Sequence, residues 1–245
     1  MSARATGATA TRVIAQLRRD PRTIALLLVV PCALVFLVDQ LFADQPDVFQ
    51  RVGVPLLGLF PLISMFLVTS ITMLRERTSG TLERLLTLPL AKLDILLGYG
   101  LAFAAVAAVQ ATIVSLVGFG LLDLEVGHSR VLVIALAVAN AVLGMALGLF
   151  LSAFAQTEFQ AVQFMPAFIL PQILLCGLIV PRDAMAEWLQ AVSAVMPFTY
   201  AFDALSRAAS TESLGARFWI DVVVVVGVTL LALVLGAATL RRRTP

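Results

Sequence analysis

Arg75-Glu76-Arg77-Thr78-Ser79-Gly80-Thr81-Leu82-Glu83-Arg84-Leu85-Leu86-Thr87-Leu88-Pro89 is a polar island between two long apolar runs. Connections between neighbouring helices are usually only a few residues long. This one carries charges of both signs, a glycine break, a short amphipathic segment and a proline stop. Gly80 breaks the helix that enters the island. Thr81 is placed to cap a new helix, and Glu83 falls in its first turn, where the helix dipole favours a carboxylate. Leu82, Leu85 and Leu86 form one face, Glu83, Arg84 and Thr87 the other, and Pro89 ends the segment. A helix resting on lipid carries an excess of Lys and Arg on its polar face. Here both signs appear, which suits a docking element for a soluble partner. An amphipathic turn lying on lipid is the alternative.

The apolar runs on either side set the class. The chain has 245 residues, of which 60% are hydrophobic and 13% charged, with a mean hydropathy of +1.00. Soluble globular chains have about 45–50% apolar and about 25% charged residues. Several runs exceed the roughly 18 apolar residues that mark a spanning helix, and the short alternating segments of a membrane barrel do not occur. The expected fold is an all-α integral membrane protein with six spans, at about 24–42, 53–74, 93–122, 131–155, 159–181 and 218–240. Residues 1–23 form an arm and interfacial helix. Residues 24–245 form one six-span membrane domain with a loop at 75–92 and an outer hairpin at 182–208.

Lys and Arg set the orientation. One side holds Arg4, Arg12, Arg18, Arg19, Arg22, Arg75, Arg77, Arg84, Lys92, Arg241, Arg242 and Arg243; the other holds Arg51, Arg130, Arg182, Arg207 and Arg217. The richer side is expected in the cytoplasm, with both termini, as an even number of spans requires. The bilayer itself is a partner. No cleavable signal peptide is expected, because the first apolar run lacks a small-residue cleavage pattern.

Residues 1–10 are Ala/Thr-rich and are expected to be disordered. Residues 11–20 are expected to form a short basic amphipathic helix in the inner interface, ended by Pro21. After Pro181, Met185, Trp188, Leu189, Val192 and Met196 recur at helical spacing up to Pro197. Phe198, Phe202 and Leu205 then recur, with Asp203 and Arg207 spaced for an i,i+4 ion pair. Each piece is too short to span, so a helical hairpin dipping into the outer leaflet is expected. Trp188 and Tyr200 suit a membrane interface.

The chain has no G-x-x-x-x-G-K-[ST] phosphate loop. Its single His128 stands beside Asp123 and Glu125 in an outer loop and makes no metal site. Nor can it assemble a nucleophilic triad. Cys32 and Cys176 each lie within an apolar run, as buried thiols do. Asp39 and Asp221 fall at outer span ends and are expected to face water. The polar interior consists of amides: Gln110, Asn140, Gln160, Gln163 and Gln172. They bridge helices or, as the alternative, line a substrate path; Gln110, Asn140, Gln163 and Gln172 are the candidates for the latter. Pro166 and Pro171 free backbone carbonyls beside Gln163 and Gln172.

The island, read as R-E-R-x-S-G-T-L-E-R-L-L-x-x-P, resembles the cytoplasmic loop of type-2 ABC exporter permeases, and most of all the daunorubicin-resistance-like multidrug branch. Leu17-Arg18-Arg19-Asp20-Pro21-Arg22, Thr157-Glu158-Phe159-Gln160-Ala161-Val162-Gln163 and the Pro181–Arg207 hairpin with Trp188, Pro197 and Tyr200 are similar to the same family. The resemblance implies a bacterial plasma-membrane permease that moves a drug-like or lipid-like substrate outward. It implies two permease halves, alike or related, and cytoplasmic ATP-binding subunits that hold ATP and Mg²⁺. This chain would then be no enzyme, would bind no cofactor itself and would have no nucleic-acid partner. Gly80–Leu88 would be the coupling helix, with Glu76 and Glu83 at the ATPase contact.

Three other classes are the alternatives. A membrane enzyme, for example a lipid-modifying transferase, needs clustered acidic or His residues facing one interface. An ion-coupled secondary carrier needs buried carboxylates near mid-membrane and usually a longer repeated chain. A non-transporting assembly subunit has no residue signature that separates it from an exporter half.

Overall fold

Helices account for all regular structure in the described residues of the computed structural model, 3–81, 92–210 and 213–239. They are α1 (Ala3–Arg18), α2 (Pro21–Leu41), α3 (Pro46–Thr78), α4 (Lys92–Gly120), α5 (Arg130–Leu151), α6 (Glu158–Leu175), α7 (Glu187–Ala194), α8 (Pro197–Ala209) and α9 (Ala216–Thr239), with a 3₁₀ turn at Arg182–Ala184. Five are long and apolar enough to cross a membrane: α2, α3, α4 from Leu97, α5 and α9. The helix at the expected fifth span, α6, has 18 residues, about 27 Å of rise. It stops at Leu175, six residues short of the expected end, and its glutamines and two prolines lower its hydropathy.

Two boundaries differ from expectation for local reasons. Helix α1 begins at Ala3, so most of the stretch expected to be disordered is helical. Alanine has the highest helix propensity, and the threonines return their hydroxyls to the helix: Thr9 Oγ1 donates to the Ala5 carbonyl at 3.0 Å and Thr11 Oγ1 to the Gly7 carbonyl at 2.8 Å. Gly98 in α4 allows α1 to sit close, since a Cβ there would lie 2.5 Å from Thr9 Cβ. Helix α3 begins at Pro46, seven residues before the expected span. Proline is suited to the first helical position and Asp47 to the first turn. Hydropathy alone misses this turn because Gln50 and Arg51 lie in it.

The break between α1 and α2 is built by Asp20. Its carboxylate accepts from the Thr23 amide at 3.2 Å and the Thr23 hydroxyl at 2.6 Å, with Pro21 beginning the next helix. The Thr23 hydroxyl and amide hold the Asp20 carboxyl below its usual range.

Helices α3 and α5 form the centre. A Cβ on Gly144 would stand 2.0 Å from the Leu62 carbonyl oxygen, and one on Gly148 2.4 Å from that of Phe66. The two backbones therefore touch, as small residues allow in membrane helix pairs. Leu59, Leu62, Phe66, Leu143 and Leu147 close around the contact, and Phe198 of α8 joins them.

The contacts define two ends of the bundle. Arg12, Glu76, Tyr99, Arg75 and Glu158 meet at one. Gln50 meets Asp123, His128 meets Ser210, and Arg207 meets Asp221 at the other. Helix α6 starts at the first end, where Glu158 meets Arg75; its Gln172 meets the Phe198 amide near the centre, and the residues just after it, Gly177 and Leu178, line a cleft with Gln50 at the second end.

Candidate functional site

The island begins where α3 stops. Ser79 caps α3, and Gly80 follows with φ of 72°, a left-handed conformation that favours glycine. Thr81 Oγ1 lies 3.0 Å from Ser79 Oγ. Leu82, Glu83, Leu85 and Leu86 lie outside the described residues.

Glu76, expected at the edge of a partner contact, is instead held inside the chain. It is 4% exposed. The Tyr99 hydroxyl donates to its Oε2 at 2.8 Å, Arg12 Nη2 donates to the Tyr99 hydroxyl, and Arg12 Nη2 also stands 3.5 Å from Glu76 Oε2. One carboxylate thus joins α1, α3 and α4 directly above the island. A buried ion pair adds little net stability, but removing one partner strands the other charge. The junction therefore fixes geometry. Beside it, Arg75 forms a two-pronged pair with Glu158, Nε to Oε1 at 2.7 Å and Nη2 to Oε2 at 2.9 Å. Thr157 caps α6 by accepting from the Gln160 amide at 3.2 Å. The sequence carried a signal for this junction: Tyr99 is one of two tyrosines and sits inside an apolar run, where its hydroxyl must find a partner.

Three of the four path amides are engaged within the chain. Gln110 Nε2 donates to the Leu27 carbonyl at 2.7 Å, joining α4 to α2. Asn140 Nδ2 donates to the Ala201 carbonyl at 3.2 Å, joining α5 to α8. Gln172 donates to Phe168 O at 3.0 Å and accepts from the Phe198 amide at 3.4 Å. Gln163 lies on the exposed side of α6 with Phe159, Val162 and Leu170.

At the opposite end, α7 and α8 form the helical pair that the spacing suggested. Ser193 Oγ and Thr199 Oγ1 are 3.0 Å apart, Thr199 Oγ1 donates to Ser193 O at 2.8 Å, and the Tyr200 hydroxyl donates to Ala194 O at 2.5 Å. Pro197 opens α8, and Trp188 is exposed on α7. The i,i+4 pair expected between Asp203 and Arg207 gives way to longer-range partners. Asp203 takes Arg182 at 2.6 Å, and Arg207 turns to Asp221 of α9 at 3.3 Å. Burial pushes the Asp203 carboxyl above its usual range, against the pull of Arg182. Asp221, expected to face water, is 0% exposed and also meets Arg217 at 3.6 Å. Helix α8 packs against α3 and α5, and that contact turns its polar side toward α9. An open cleft of ≈ 590 Å³ lies beside it, lined by Gln50, Arg51 and Val52 of α3, Glu125 of the 121–129 connection, and Phe202 and Ser206 of α8. Among the described residues, no three His, Cys, Asp or Glu side chains are grouped to hold a metal ion.

Residues 4–209 match the ABC-2 type transporter family. Over 148 residues, 60% of this chain and 40% of the relative, the sequence is 32% identical to a protein of Escherichia coli K12 described as the probable multidrug ABC transporter permease YbhR. Over 138 residues, 56% of this chain and 19% of the relative, it is 26% identical to ABC transporter G family member 20 of Dictyostelium discoideum. The matched region is thus less than half the length of either relative.

Proposed function

Because this chain belongs to the ABC-2 type transporter family, we propose that it is the membrane permease half of an ATP-driven exporter of drug-like or lipid-like molecules. The observation that carries the reading is the Arg12–Glu76–Tyr99 junction. It ties the base of α3, where the island departs, to α1 and α4. A push on the island therefore reaches three helices together. A separate cytoplasmic subunit binds and hydrolyses ATP with Mg²⁺ and seats against Thr81–Leu88. The Leu82/Leu85/Leu86 face fills its groove, and Glu83 makes a charge-assisted hydrogen bond at the edge. Glu76 braces the island from behind.

The chain makes six crossings in this reading, with both termini in the cytoplasm. The path of α6 and the residues just after it, from Arg75 to the cleft beside Gln50, supports the sixth crossing. The twelve basic residues on the Arg75 side support the orientation. Two permease halves assemble. The exposed face of α6 with Gln163 borders the path, and cargo leaves past the α7–α8 pair and the cleft at Arg51 and Glu125.

Glu83→Arg tests the reading. It reverses a charge at the expected contact while leaving helix propensity nearly unchanged. Loss of a buried charged pair costs about 2–5 kcal/mol. Co-purification of the ATP-binding subunit and substrate-stimulated hydrolysis should both fall, while Glu187→Arg in the outer hairpin should leave both intact. Unchanged co-purification and hydrolysis with Glu83→Arg would remove the island as the coupling element.

A further inference from the structure

Three of the five arginines at the second end of the bundle, Arg182, Arg207 and Arg217, converge on two carboxylates. Arg182 neutralises Asp203. Arg207 and Arg217 share Asp221, which leaves one positive charge in excess. Both approach through Nε, Arg207 to Oδ2 at 3.3 Å and Arg217 to Oδ1 at 3.6 Å. These separations exceed the roughly 2.7–2.9 Å of a charge-assisted hydrogen bond. The contacts are ion pairs without a hydrogen bond to either Asp221 oxygen, and they draw both guanidinium groups to the carboxylate through Nε rather than through their outer nitrogens. The side chains are 43% and 47% exposed, although Asp221 between them is fully enclosed. The Arg217 guanidinium lies 5.9 Å from the Tyr200 ring centroid, which restrains it from the other side. Two oriented forks with free outer nitrogens and a net positive charge form an oxyanion receptor, and planar guanidinium groups match phosphate geometry.

The setting identifies which phosphate. Ile220, one helical turn from Arg217 on the same side of α9, is exposed, as are Trp219, Val223 and Val226. An apolar helix surface thus begins directly below the forks, and Trp at this level marks a membrane interface. A ligand held there has its phosphate at the arginines and its chains along α9. We propose that Arg207 and Arg217, positioned by Asp221, bind the phosphate of a phospholipid headgroup. Assignment to the outer leaflet rests on the proposed orientation; the binding itself does not.

The test uses the purified full chain in a neutral detergent, with dioleoyl-phosphatidylglycerol as the probe and thermal unfolding and native mass spectrometry as readouts. The lipid should raise the unfolding midpoint and remain bound. Glycerol phosphate, which lacks acyl chains, and dioleoylglycerol, which lacks phosphate, should each bind at least tenfold more weakly. The combined Arg207→Gln, Arg217→Gln, Asp221→Asn variant removes the forks without stranding a buried carboxylate, and it should lose at least tenfold in lipid affinity. Arg207→Lys with Arg217→Lys keeps the charge beside Asp221 but not the forks, and should show an intermediate loss. Arg130→Gln, at another exposed arginine of the same end, should bind as the unaltered chain does. Full retention of lipid by the triple variant, or equal binding of dioleoylglycerol, would overturn the phosphate site. Equal binding of glycerol phosphate would overturn its assignment to lipid.

Discussion

Gly144→Ala probes the contact that sets the centre of the bundle. The added methyl would stand 2.0 Å from the Leu62 carbonyl oxygen, 2.7 Å from its carbonyl carbon and 2.9 Å from its Cα. A carbon–oxygen contact settles at about 3.3 Å, so α3 and α5 must part by about 1.3 Å at this level. The obstacle is backbone in mid-helix, so no rotamer change can relieve it. Overpacking of this kind costs about 1–3 kcal/mol, and separation also thins the packing of Phe66 and Leu147 nearby. Replacing a helical glycine by alanine returns about 1 kcal/mol, which leaves about 0–2 kcal/mol of overpacking cost, to which the thinned packing adds, so the net effect is a loss. Gly227→Ala in α9 is the control: nothing lies within 4 Å of its Cβ position, so only the propensity gain applies. Unfolding in mixed micelles of fixed composition, followed by Trp fluorescence, measures both. Gly144→Ala should unfold at lower denaturant than the unaltered chain and Gly227→Ala at equal or higher denaturant. A Gly144→Ala midpoint at or above that of the unaltered chain would refute the backbone contact.

Tyr99→Phe removes the hydroxyl that links Arg12 to the buried Glu76 and should cost about 1–3 kcal/mol in the same assay. Combining it with Glu76→Gln should cost less than the sum of the two, because they act on one network; strict additivity would argue against the junction. Asp20→Ala should lower the unfolding midpoint at neutral pH. The Asp20 carboxyl is held below its usual range by Thr23, so its contribution is present above the unfolded value of about 4 and lost as the pH falls through the folded one. The gap between variant and unaltered chain should therefore close on acidification; a gap that widens would contradict the cap. For topology, a single Cys at Ser79, in a chain lacking Cys32 and Cys176, should be labelled only from the cytoplasm, and labelling from outside alone would overturn the orientation.

The spanning helices were legible because hydropathy reports lipid contact, and α2, α4, α5 and α9 are continuous apolar runs. The first turn of α3 escaped that reading because a helix continues through Gln50 and Arg51 at a bundle end, where water is available. Helix α1 was misjudged at its start, where composition suggested disorder while alanine propensity and the notch at Gly98 dictated a helix. The amides could be read as bridges from residue type alone, but their partners could not: Gln110 reaches the carbonyl of Leu27, 83 positions away in sequence. Local spacing misled at Asp203 and Arg207, because the i,i+4 rule applies to an isolated helix. Packing α8 against α3 and α5 brought Arg182 and Asp221 within reach, and the pairs exchanged. Glu76 was visible as an unusual charge, but burial beneath Tyr99 is a tertiary property that sequence spacing does not record.

Leu62, whose carbonyl meets Gly144, stands midway along α3, Pro46–Thr78. The helix runs about 50 Å at 1.5 Å per residue, from the cleft at Gln50 and Arg51 to the departure of the island at Gly80. Gripped at its middle and tied to α1 and α4 at its Glu76 end, it would act as a see-saw with the glycine contact as fulcrum and those helices carried along. A tilt of about 5° about that point shifts each end by about 2 Å, in opposite directions, on a rod of that length. A movement of Arg77 toward the bundle axis then appears as withdrawal of Gln50 from it. The cleft would open as the island is driven in, with no change in the helix between them.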